Sequence, residues 1–304
     1  MISPQLQEAE GGLGAIGKPP GNMVKFRKIL LEDRAWVECC RDPLVHPFSA
    51  LSFPSLFTWQ EAYGLEIAGD EDFFVVRSRE NQGYFAPCGQ EEKCRRFLDS
   101  ALREEGSLRV LYLTGEQAEQ AAREGFAVRR SPALDEYICS TKALALQEGH
   151  VSSTYRKKCT RFAQDFPYSA APITPEDLPL LRGVLASWEA ELGTRAVDLD
   201  AAIKSVEYFE ALDLRGILVR TEKGPVAFSF GFESAPDTYT MAVVKYDRAL
   251  SPAVTAVCTR EEAEKVAFPW AFSNLEEDLG LPGLRDAKLQ CGPVRMNEVY
   301  VIEK

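Results

Sequence analysis

Near the end of the sequence, Asn274-Leu-Glu-Glu-Asp-Leu-Gly-Leu-Pro-Gly-Leu-Arg-Asp-Ala-Lys288 joins three consecutive acids to a Gly/Pro turn and then to two bases three residues apart. Glu276, Glu277 and Asp278 offer carboxylates able to bind or deprotonate an amino group. Asn274 offers an amide that both donates and accepts. Arg285 and Lys288 offer cations to a carbonyl oxygen or a phosphate. Such a set could hold an amine beside a carbonyl oxygen or a phosphate. The same residues also suit a structural arrangement in which acids precede a helix, bases follow on it, and the two pair off. The residues alone leave both readings open.

Other chemistries are poorly served. The eight cysteines include no Cys-x-x-Cys pair, and there are only two histidines, so zinc-ligand spacing is absent and no metal site is expected. There is no Gly-x-Ser-x-Gly elbow, which direct attack by an acceptor does not require. Scattered cysteines without an export signal suggest reduced thiols and a cytoplasmic location. The net charge of −11 argues against broad nucleic-acid binding, and no DNA partner is expected. One compact basic cluster stands out, Tyr155-Arg-Lys-Lys-Cys-Thr-Arg-Phe162. Lys157 and Arg161 share a helix face there, with Arg156 beside them, and such a face suits phosphates of a tRNA or simply solvent.

A length of 304 residues suggests two domains. Residues 1–22 are rich in Gly, Pro, Gln and Glu and read as a loose leader, with Met23 an alternative start. No apolar run approaches the ~18–20 residues of a membrane span. From residue 23, the hydrophobic periods and turn signals predict the same order twice: strand, two helices, three strands, helix, strand, helix, strand. The first pass occupies residues 23–147, opening on a strand at 24–30 and closing on one at 136–141. The second occupies 148–304, closes on a strand at 298–302 and carries the candidate site.

This order resembles the GNAT acyltransferase fold. The resemblance implies an α/β (α+β) chain of two tandem GNAT-like domains, each a mixed, mainly antiparallel sheet flanked by helices. GNAT enzymes hold the coenzyme A pyrophosphate on free N–H groups at a helix start. The corresponding stretch here is Arg248-Ala-Leu-Ser-Pro-Ala253, with Ser251 as the cap and Pro252 at the first helical position. Arg248 and Ser251 are thus the cofactor-binding candidates for an acyl-CoA, although Pro252 removes one N–H from the cradle. Lys245, at the end of the preceding strand, is a further substrate-binding candidate.

Three segments resemble the DUF2156 family, related to the soluble C-terminal domain of phosphatidylglycerol lysyltransferases. They are Ser52-Phe-Pro-Ser-Leu-Phe-Thr-Trp59 with Tyr63-Gly64, the basic run from Gly149 through Arg156 to Phe162, and the charged turn at 274–288. The turn follows the family spelling Asn-x-Glu-x-Asp-Leu-Gly-x-x-Gly-Leu-Arg-x-x-Lys. The chain departs from the family at Leu275, at Ser152, Ser153 and Thr154, and at Gln290-Cys-Gly-Pro293. The resemblance implies transfer of an acyl or aminoacyl group from an activated carrier, aminoacyl-tRNA or acyl-CoA, to an amine or hydroxyl. The departures support an alternative, a tandem GNAT that binds a ligand or partner without catalysis. Donor, acceptor and oligomeric state are not fixed by the sequence.

Overall fold

Side-chain caps open some of the helices in the computed structural model, which describes residues 25–192 and 197–304, the side chains of 191, 192 and 197 excepted. The expected leader lies outside these residues. The strand expected at 24–30 reduces, among the described residues, to a single bridge between Arg27 and Ile67.

After α1 (Arg34–Cys40), α2 (Phe53–Tyr63) carries Pro54 in its first turn and stops at Gly64, whose φ of 56° favours glycine. Then come β1 (Leu65–Asp70), β2 (Phe73–Ser78), β3 (Gly83–Phe85), β4 (Cys88–Gly89), α3 (Glu91–Glu105) and β5 (Arg109–Leu113). Thr114 opens α4 (Gly115–Arg123) through a reciprocal box with Gln117. β6 (Ala127–Arg130), β7 (Glu136–Ser140) and α5 (Thr141–Leu146) follow. Ser152 Oγ accepts the Tyr155 N–H at 3.0 Å and starts α6 (Ser153–Asp165). β8 (Tyr168–Pro172) leads to Thr174, which forms a box with Asp177 just ahead of α7 (Leu178–Leu192). The chain continues through α8 (Val197–Glu207), β9 (Arg215–Thr221), β10 (Gly224–Ala235), β11 (Thr238–Tyr246), α9 (Val254–Lys265) and β12 (Phe272–Asn274). It closes with α10 (Pro282–Gln290), β13 (Arg295–Asn297) and β14 (Tyr300–Glu303).

Two mixed sheets result, as the sequence predicts. One runs β1-β2-β3-β5-β14-β6, with β4 also paired to β2; the other runs β13-β7-β12-β11-β10-β9-β8. β3–β5 and β11–β12 are parallel neighbours. The strands at the end of each predicted half do not stay with that half. β7 pairs with β12, while β14 lies between β5 and β6. The described residues accordingly divide into one compact unit at Glu136–Met296 and another made of residues 25–135 together with Asn297–Lys304. Strand periodicity shows that a strand exists, but not its partner, because apolar edge strands of both sheets read alike.

The unit at Glu136–Met296 places its site at the centre of its sheet. Tyr155 and Phe162 of α6, Val257 and Cys258 of α9, and Tyr239, Met241 and Cys139 form its core. Phe228 and Phe230 point to the opposite face, where Phe209 meets Phe230 edge-on at 5.4 Å. β11 carries an extra residue opposite Phe230 and Gly231, a bulge that bends the strand. Its parallel pairing with β12 covers only Thr238–Thr240 against Phe272–Asn274. Past Asn274 the two chains separate, since β11 runs on to Tyr246 while residues 275–278 turn away. The core of the other unit includes Phe26, Val75, Tyr84, Phe97, Val110 and the exchanged Ile302.

Candidate active site

The charged turn begins where β12 ends. Asn274 is wholly buried. Its Oδ1 accepts the Glu276 N–H at 2.8 Å, and its Nδ2 donates to Glu136 Oε2 at 2.8 Å. The first bond closes a tight Asx-type turn, and Glu276 adopts a left-handed φ of 59°. A non-glycine residue there carries strain of roughly 1 kcal/mol or more.

Asp278 organises the next step. It is wholly buried and accepts from Tyr137 Oη at 2.5 Å, Arg285 Nε at 2.8 Å, Arg285 Nη2 at 3.3 Å and the Gly280 N–H at 2.7 Å. Burial alone would lift its carboxyl, but the bonds from Arg285 and Tyr137 outweigh that and hold it below the usual carboxylate range. The same contact with Asp278 holds the Arg285 guanidinium above its ordinary value. Leu279 and Gly280 are both left-handed, and Pro282 then opens α10, where its missing N–H is not needed.

Lys288, one turn beyond Arg285, folds back over the loop. Its Nζ donates to the carbonyls of Leu275, at 2.5 Å, and Glu277. It lies 6.0 Å from the centre of the Tyr137 ring. Burial lowers its proton affinity, opposed by the charges of Glu277, Glu276, Asp278 and Glu136. Burial also pushes Glu276 and Glu277 up, reinforced by the charge of Glu277 on Glu276 and of Glu136 on both, with Lys288 opposing. Among the described residues, neither carboxylate takes a side-chain hydrogen bond or an ion pair, and both residues keep intermediate exposure. The arrangement is two acids whose hold on a proton burial raises, beside an ammonium clasped by backbone carbonyls, at the point where two parallel strands diverge.

The structure thus brings together Asn274, Glu276, Glu277, Asp278, Arg285 and Lys288, and adds two residues that sequence reasoning read only as strand, Glu136 and Tyr137. One signal was present: a carboxylate at the head of an otherwise apolar buried strand, Glu-Tyr-Ile-Cys-Ser. The remaining candidates lie in other surroundings. Lys245 is buried, pairs with Asp198 of α8 and sits 4.0 Å from the centre of the Trp188 ring of α7. It joins β11 to these helices rather than to the turn. Arg156 is exposed and donates to the Val151 carbonyl at 2.6 Å. Its helix does adjoin α10, because Lys158 Nζ reaches Gln290 Oε1 at 2.8 Å and the Ser152 N–H reaches the Gln290 carbonyl at 3.0 Å.

The helix cap expected at Ser251 requires a correction. Arg248 and Ser251 lie in an exposed turn, and Ser251 does not cap α9, which starts at Val254 with Ala253 as its N-cap. The N–H groups of Val254, Thr255 and Ala256 bond to the carbonyls of Ser251, Pro252 and Ala253, which winds a tighter turn ahead of the helix. Donors that a phosphate cradle would need are already used there.

The sequence profile described as "Phosphatidylglycerol lysyltransferase, C-terminal" matches residues 42–303. No curated protein matches the sequence. Among solved structures, a conserved protein of unknown function from Bacteroides thetaiotaomicron is similar at a TM-score of 0.80 and 26% identity, over 92% of this chain and 99% of that one. The DUF2156 C-terminal domain from Agrobacterium fabrum gives a TM-score of 0.63 at 14% identity, over 88% and 91%. L-PGS from Bacillus licheniformis gives 0.57 at 14%, over 81% and 86%. The last two are likenesses of fold.

Proposed function

The chain belongs to the phosphatidylglycerol lysyltransferase C-terminal family, and from that premise we propose that it is an acyltransferase moving an aminoacyl group from an activated carrier to an amine or hydroxyl acceptor. The observation that carries this reading is the unequal fate of the three acids. Asp278 is saturated by four donors, whereas Glu276 and Glu277 take no side-chain partner among the described residues although burial raises their hold on a proton. Strain at Glu276 supports a role for its side chain, since an asparagine or glycine would sit there more easily.

In this reading one of the pair holds the amino group of the aminoacyl donor and the other takes the proton from the attacking acceptor. The acceptor oxygen or nitrogen bonds to the donor carbonyl carbon, the carrier oxygen leaves with a proton, and no covalent intermediate forms on the protein. Lys288 commits two N–H groups to backbone carbonyls. Its third serves the developing oxyanion. Asp278, Tyr137 and Arg285 anchor the loop. Aminoacyl-tRNA is favoured over acyl-CoA as the carrier, because the basic helix α6 adjoins α10 whereas the start of α9 has spent its donors.

A melting-shift panel tests the reading, with amino-acid methyl esters as donor mimics and acetyl-CoA beside them. A ligand at about 100 times its Kd adds about 2.7 kcal/mol of stability. The expected result is a shift with esters that disappears in Glu276→Gln,Glu277→Gln. A shift with acetyl-CoA alone would overturn the choice of carrier, and none with any ester would overturn the site. The alternative, ligand binding without catalysis, draws on the mutual satisfaction of Asp278 and Arg285. It predicts ester binding with no transfer from aminoacyl-tRNA to any amine.

A further inference from the structure

Glu136 is remote from the charged turn in sequence, yet it holds the residue on which the turn is built. Asn274 uses both ends of its amide: Oδ1 takes the Glu276 N–H and Nδ2 gives to Glu136 Oε2, each at 2.8 Å. Both side chains are buried away from solvent, so water cannot substitute for either partner. Flipping the amide would set its oxygen against a carboxylate oxygen and its NH2 against an N–H. The buried acceptor therefore locks the amide, and the locked amide holds Glu276 in a backbone conformation that a glutamate otherwise avoids. β7 is itself fixed to this loop: the Leu275 N–H bonds to the Tyr137 carbonyl at 2.9 Å, and the Tyr137 N–H to the Glu276 carbonyl at 3.3 Å.

We propose that Glu136 is a positioning residue of the transfer site: through the Asn274 amide it fixes the left-handed turn at Glu276 and so aims that carboxylate at the amino group of the substrate. The aim rests on the functional reading above; the locked turn does not. Glu136 touches no reacting atom in this scheme and acts through Asn274.

The test exchanges donor and acceptor. Asn274→Asp keeps an oxygen for the Glu276 N–H but cannot donate to Glu136, and it opposes two buried carboxylates. Adding Glu136→Gln restores the bond in the reverse direction, with the glutamine NH2 donating to the new carboxylate. Amide hydrogen exchange at Glu276 reads the turn directly in the full chain without ligand. The expected result is exchange roughly tenfold faster in the single variant, the effect of losing one buried hydrogen bond. In the double variant it should return to within about threefold of wild type. Affinity for an amino-acid methyl ester should follow the same order. Unchanged exchange in Asn274→Asp, or a double variant no better than the single, overturns the role of Glu136 whatever the ester does. Rescued exchange with no ester binding in any variant, wild type included, overturns the functional reading and with it the aim, while upholding the lock. If Asn274→Asp fails to fold, the folded double variant carries the same comparison against Glu136→Gln alone, in which the Asn274 amide keeps an acceptor and exchange stays near wild type.

Discussion

Glu262 of α9 provides a quantitative test, because it is buried and shares one tyrosine hydroxyl with a backbone carbonyl. Tyr239 Oη lies 2.6 Å from the Arg215 carbonyl oxygen and 2.8 Å from Glu262 Oε1. One hydroxyl proton serves one acceptor well, so both contacts are good hydrogen bonds only when Glu262 is protonated. Burial agrees, pushing this carboxyl up to about 8 against the pull of Ser229 and Tyr239. The folded chain thus keeps a proton that an ordinary glutamate loses near 4.5. Since the folded value is the raised one, the stability is fully present below 4.5 and declines as pH rises to about 8. Each pH unit in that window costs roughly 1.4 kcal/mol, or about 3 kcal/mol by neutrality. Glu262→Gln keeps the shape, and its NH2 donates to Tyr239 with no proton to lose. Urea unfolding followed by tryptophan fluorescence from pH 5 to 8.5 makes the comparison, with Trp270 5.3 Å from the Tyr239 ring as a local reporter. The variant should lose most of the pH slope and gain roughly 1–3 kcal/mol at the alkaline end. A variant as pH-dependent as wild type, or weaker at pH 8 than at pH 5.5, would refute the argument.

Other perturbations probe the site and its supports. Glu276→Gly should release backbone strain and raise stability by about 0.5–1 kcal/mol in urea melts while abolishing ester binding; a loss of stability would mean that the side chain supports the fold. Asp198→Ala should destabilise by roughly 1–3 kcal/mol, because the Lys245 ammonium stays buried beside Trp188 without its partner, whereas Lys245→Met should stay within about 1 kcal/mol of wild type by calorimetry. Gly231→Ala places a Cβ 1.7 Å from the Thr240 carbonyl oxygen at the bulge. It should cost at least about 3 kcal/mol, and a Tm unchanged from wild type would show that the strand yields easily.

The parts of this fold that were legible in the sequence are those with local causes. Thr114, Ser152 and Thr174 start helices or the turns that lead into them, Gly64 ends one, and the alternation in β9 to β11 identifies a sheet. The charged turn is local as well, which is why its acids and bases were found together. What stayed hidden depends on partners far away in sequence. Glu136 meets Asn274 and Tyr137 meets Asp278 across more than 130 positions, as |i−j| values of 138 and 141 show. Lys288 turns to backbone carbonyls, which no residue type announces. Ser251 followed by proline looks like a cap, yet consecutive three-residue turns delay α9 by a few positions.

The exchanged strands also bear on how the protein is made and how it can be cut. The sheet begun by β1 cannot close until residues 300–303 have been synthesised, because β14 separates β5 from β6. Until then a nascent chain holds the edges of β5 and β6 unpaired and exposed to association. The other sheet waits for nothing upstream, since β7 is made before its partner β12. A backbone cut between α5 and α6 would accordingly leave two fragments, neither with a complete sheet and each carrying a strand that the other needs. Only the reassembled pair would again contain Glu136 beside Asn274, so this junction is a natural place to make the activity depend on the meeting of two chains.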